Sequence, residues 1–125
     1  MRFTTLATAL VALAAADTAR AGGETPVAEI VTFRLAEGAD PTEFTSAADA
    51  ITPFLRDTGA VLSRTLSVDE TGLWTDHITW TSMQVAKDTA ADVMALPEAG
   101  PMMSLIDAET VIMRHAPIRF SMKKE

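Results

Sequence analysis

Cysteine and tyrosine are absent from the 125 residues, histidine occurs twice, and 10 Lys and Arg stand against 17 Asp and Glu. No disulfide can staple the chain and no thiolate can serve as nucleophile or ligand. A net charge of −7 speaks against binding a phosphate backbone, which needs clustered cations. The sequence has no glycine-rich phosphate loop, no zinc spacing and no Ser-His-Asp order. With 48% hydrophobic and 22% charged residues, the composition is that of one globular domain and excludes a disordered polar chain.

Residues 1–21 read as an export signal. Arg2 gives the positive start, residues 4–16 are uncharged and rich in Ala, Leu and Thr, and Ala19-Arg20-Ala21 offers a small-x-small cleavage site. The uncharged stretch is too short for the roughly 20 residues that cross a bilayer, and no second apolar run follows, so no membrane association is expected after removal. Cutting after Ala21 removes Arg2, Arg20 and Asp17, leaving 104 residues with 8 basic and 16 acidic groups. The mature chain is expected to be periplasmic or secreted, with its domain at 22–120 and a polar tail at 121–125. An exported domain without disulfides must rely on burial, and a chain of this size buries only about 60–70% of its unfolded surface.

Apolar periodicity predicts strands at 27–35, 60–68, 73–81 and 110–118. Asp40 caps a first helix with Pro41 at its first position and Glu43 three residues after the cap. Phe44, Ala47, Ala48, Ile51, Phe54 and Leu55 form its inner face, Pro53 kinks it near Thr52, and Gly59 ends it. The Asp69-Glu70-Thr71-Gly72 segment is a hairpin loop. Ser82 caps a second helix facing inward through Val85, Ala86, Thr89, Ala90, Val93 and Met94. Pro97 and Gly100-Pro101 interrupt that helix, and 102–106 reads as one extra turn. The order βαββαβ gives an α+β, ferredoxin-like sandwich with a four-stranded antiparallel sheet.

Two helices cover one face of such a sheet. The other face carries Ser63, Thr65, Ser67, Thr75, His77 and Thr79 rather than the Lys and Glu of a solvent face, so a homodimer with sheet packed on sheet is expected.

Trp80-Thr81-Ser82 followed by Ala86 resembles the strand-to-helix junction of antibiotic biosynthesis monooxygenase-like domains. Val31-Thr32-Phe33-Arg34-Leu35 with Gly38, and Phe44 on the next helix, are similar to these dimeric α+β barrel proteins as well. The resemblance implies a barrel-like dimer and a small-molecule cavity, with a cofactor-independent monooxygenase acting on an aromatic or quinol-like substrate among the activities. Haem-degrading members carry a histidine ligand on the second helix. Residues 83–106 hold none, so neither haem nor another cofactor is expected. A non-catalytic homodimer that binds a small hydrophobic ligand, or a partner protein, is the alternative from a different class.

His77 and His115 are the candidate acid/base groups, since imidazole titrates near neutrality. The third and fourth strands flank the first, two strand spacings or about 9–10 Å apart. The two imidazoles can therefore line one pocket only if they share a face, and they cannot jointly hold a metal; no metal site is expected. Trp74, Trp80, Met113 and Arg114 are the candidate ligand-binding residues. Arg34, Arg64 and Arg114 lie within strands and need a partner, either an anionic ligand or a carboxylate such as Asp76 or Glu29. The methionines are expected to fill core gaps, with Met102 and Met103 pointing apart.

Overall fold

The computed structural model describes residues 25–125; the expected signal segment and the proposed cleavage point lie outside them. Four strands, β1 (Val27–Leu35), β2 (Val61–Val68), β3 (Trp74–Trp80) and β4 (Ile106–Pro117), form one sheet in the order β2-β3-β1-β4. Every pairing is antiparallel. Helices α1 (Pro41–Asp49) and α2 (Thr52–Asp57) follow β1, and α3 (Met83–Met94) and α4 (Ala99–Ser104) follow β3. This is the ferredoxin-like α+β arrangement expected of the strand and helix order.

Local chemistry sets the boundaries. Asp40 accepts a hydrogen bond from the Thr42 backbone N–H at 3.0 Å, and Pro41 opens α1. Ser82 accepts from Val85 N–H at 3.2 Å at the start of α3. Gly59, at φ 66°, turns the chain out of α2 while its N–H donates to Arg56 O. The single kinked helix expected around Pro53 is instead two helices, broken at Ala50–Ile51, because proline fits the first turn of a new helix, where its missing N–H costs nothing. Pro101 does the same inside α4, which starts three residues before the expected turn at 102–106.

Cross-strand pairs share a face. The helix-covered face takes Val27, Glu29, Val31 and Phe33 of β1, with Trp74, Asp76, Ile78 and Trp80 of β3 opposite them. Phe33, Trp74 and Phe44 form an aromatic nucleus: Phe33 stacks on Trp74 with centroids 6.4 Å apart, and Phe44 meets both rings edge-on. Ile51, Leu55, Ala86 and Met102 complete the core around it.

Two irregularities depart from the simple alternation. In β2, Val61 pairs with Trp80 and Ser63 with Thr79, so Leu62 is a bulge residue and is 59% exposed. Val61, not Leu62, joins the inner face. In β4, Arg34 pairs with Asp107 and Thr32 with Ile112, leaving four residues of β4 opposite Phe33 alone. Asp107 and Glu109 therefore belong to a strand that begins earlier than the sequence suggests, not to a loop. The detour is held by Thr110, whose hydroxyl accepts from Arg34 N–H at 2.8 Å.

The β2–β3 turn is built on Asp69, whose Oδ1 accepts from the Thr71 hydroxyl at 2.6 Å and from the Thr71 and Leu73 backbone N–H groups. Gly72 supplies a φ of 86° there. The Thr71 hydroxyl first, and the backbone donors next, hold the Asp69 carboxyl below its ordinary 3.8. A lowered folded-state pKa adds stability that is present above the ordinary value and is lost as pH falls through the lowered one. Asp69→Asn should therefore melt below wild type at neutral pH, and the gap should close as thermal scans move into acid below about pH 4.

Candidate functional site

Between the covered face and the helices lies a cavity of 170 Å³. Phe33, Val31, Ile78 and Trp80 form its floor; Phe44, Ile51 and Leu55 wall it on the α1–α2 side. Val93, Met94, Met102 and Met103 close the α3–α4 side, and Val111 and Met113 of β4 stand at its rim. The detour of β4 carries Val111 to that rim. Met94 and Met113 are 61% and 50% exposed, so the rim is open to solvent there.

Three charged side chains reach this otherwise apolar space: Glu29, Arg64 and Asp76. Glu29 is buried and lies 2.9 Å from His115 Nε2. An ionised carboxylate only accepts, so the imidazole nitrogen is the donor in this contact. Arg64 forks onto Asp76 with Nε–Oδ1 at 3.1 Å and Nη2–Oδ2 at 2.8 Å, and its Nη1 donates to Ala48 O at 2.8 Å. That fork satisfies both partners and anchors α1 to the sheet. Register explains the grouping. His115, Glu29, Ile78 and Arg64 form one rung across all four strands, and Asp76 lies on the next. Leu55 and Arg64 also line a wider groove, about 600 Å³, between α1–α2 and the edge strand β2.

Trp80 is 2% exposed and its indole N–H has no hydrogen-bond partner. A buried donor left unpaired costs about 1–3 kcal/mol, and here it belongs to a residue on the cavity floor. Trp80 is a diagonal neighbour of Glu29 across β1 and β3, with backbones about 7–8 Å apart. Glu29 thus brings a carboxylate into a largely apolar space floored by the Trp80 ring.

The residues singled out from sequence separate. Trp80 and Met113 line the cavity, and His115 sits behind Glu29. Trp74 is packed between Phe33 and Phe44 in the core and is not among the lining residues. His77 and Arg114 both pair with Ile30, on the opposite face of the sheet, and both are exposed. The two histidines therefore cannot share a pocket: His77 pairs with Ile30 and His115 with Glu29, and neighbouring β1 residues face opposite ways. Of the strand arginines, Arg64 takes the expected carboxylate, Asp76, whereas Arg34 donates to Thr71 O at 2.7 Å. Glu29 was foreseen only as a salt-bridge acceptor. Its signal was visible in the sequence: a lone carboxylate in the inward phase of an apolar strand. Among the described residues no group of three or more His, Cys, Asp or Glu is placed to hold a metal.

No protein-family model and no curated protein matches the sequence. Solved structures do. SnoaB, a cofactor-independent oxygenase from Streptomyces nogalater, superposes with a TM-score of 0.65 at 18% identity, over 80% of this chain and 99% of that one. The fold is shared. PA3566 from Pseudomonas aeruginosa follows at a TM-score of 0.58 and 15% identity, over 79% of this chain and 98% of that one. Both likenesses bear out the ferredoxin-like α+β fold expected from the strand and helix order.

Removing Asp76 leaves a largely buried guanidinium with only Ala48 O. Asp76→Ala should cost about 3 kcal/mol in urea denaturation, whereas Arg114→Ala on the open face should stay within about 0.5 kcal/mol of wild type.

Proposed function

We propose that the chain is an exported, homodimeric, cofactor-independent monooxygenase of the antibiotic biosynthesis monooxygenase-like type, acting on an electron-rich aromatic substrate in the cavity of each protomer. The observation that carries this reading is a buried, His115-held Glu29 in an otherwise apolar cavity floored by Trp80. Apolar walls with a few convergent polar groups are what an orienting site needs. SnoaB's description as a cofactor-independent oxygenase supports the reaction class by analogy of fold.

In this reading the substrate ring lies against Trp80, and the Glu29 carboxylate accepts the proton of a ring hydroxyl. His115, donating to Oε1, keeps that carboxylate aimed at the cavity as a positioning residue. The electron-rich anion passes one electron to dioxygen, and recombination of the two radicals forms a carbon–oxygen bond. Breakage of the peroxide O–O bond then leaves one oxygen atom as a ring carbonyl. The other departs as water, taking up the proton held by Glu29 and the ring hydrogen. The substrate supplies all the electrons, so no further reductant is required.

The dimer forms through the open face, where Ile30 lies between His77 and Arg114. Sheet packed on sheet would bury the Ser, Thr and His row of β2 and β3. His77 then serves this contact and not the chemistry.

Oxygen uptake with a polyphenol panel tests the catalytic reading. Glu29→Gln should lower kcat at least about 100-fold, the scale of a lost general base, while His77→Ala should retain it. Substrate binding without oxygen consumption in the wild type would instead establish the non-catalytic binding protein. Ile30→Arg should turn a dimer into a monomer in sedimentation velocity, and a wild-type monomer at micromolar concentration would overturn the assembly.

A further inference from the structure

We infer that the cavity takes a single hydroxylated aromatic ring, and that four methionines set this limit; the inference rests on the cavity being the ligand site proposed above. At 170 Å³ the space matches the apolar cavity of about 150 Å³ that admits benzene. A fused polycycle does not fit inside it. The inner end cannot retreat, because Phe33, Phe44, Ile78 and Trp80 are all at least nine-tenths buried and packed in the core.

The outer end is different. Met94, Met102, Met103 and Met113 come from α3, α4 and β4 and all line this one cavity. Met102 belongs to the core and Met103 packs against it, as expected of core filler, whereas Met94 and Met113 do not. Only Met102 is buried, while Met94 and Met113 are half-exposed or more. An unbranched thioether can fold over a ring edge where a β-branched side chain cannot, and sulfur at a ring edge is attractive. A ring in the cavity is thus held between a rigid aromatic floor and an adaptable thioether rim. Any second ring must push the rim aside and sit in water.

Of the two carboxylates lining the cavity, Asp76 is engaged by the Arg64 fork and Glu29 is the one held by His115. A hydroxyl is therefore the substituent that suits the ring, because it can donate to Glu29.

The test uses the Trp80 indole N–H resonance of the whole protein, separated from that of Trp74 by a Trp74→Phe variant, in titrations with phenol, 2-naphthol and 2-anthrol. Phenol should shift the Trp80 signal, and affinity should fall at least tenfold from phenol to 2-anthrol. Met113→Ala, at a half-exposed rim position, should raise 2-naphthol affinity at least fivefold. Equal or tighter binding of 2-anthrol by the wild type overturns the ring limit while leaving the cavity as the ligand site. Unchanged 2-naphthol affinity in Met113→Ala overturns the role of the rim. If no ring shifts the Trp80 signal, the ligand-site reading fails and the inference with it.

Discussion

Side chains along each strand alternate between a face under four helices and a face under none, and nearly every property of the molecule follows from that division. On the covered face an isolated charge would be expensive, so each one has a partner: Glu29 has His115, and Asp76 has the Arg64 fork. On the open face, among the described residues, Ser, Thr, His77 and Arg114 stand without such contacts. One residue of register would exchange the two sets, which is why the bulges at Leu62 and opposite Phe33 matter more than their size suggests.

Elements governed by local chemistry were legible. Asp40-Pro41, Ser82 and the Asp69–Gly72 turn are recognisable because a side-chain oxygen, a fixed φ or a permissive glycine decides the conformation within a few residues. The antiparallel hairpin and the strand order followed from loop length and element order. The bulges were not legible, because an extra residue in a strand is fixed by pairing with a distant partner. Leu62 is as apolar as Val61, and only the pairing of Val61 with Trp80 shows which one faces inward.

The site was legible in composition and less so in assembly. Trp80 and Met113 could be picked out by residue type. Whether His77 and His115 meet depended on the registers of two separate strands against β1, and those registers put them on opposite sides. Glu29 shows the converse. An acidic residue in the phase of Val27, Val31 and Phe33 breaks the apolar pattern, and such breaks are where a sequence departs from what folding alone would favour.

The detour of β4 has a bearing on how this scaffold can diversify. Four residues opposite Phe33 lie outside the regular ladder, tethered by the Thr110 hydroxyl and ending beside the methionine rim. Lengthening or shortening that excursion would reshape the entrance without shifting any rung between Val27 and Thr32. The aperture and the frame are thereby uncoupled, and a lineage could recast the opening while its sheet stayed the same.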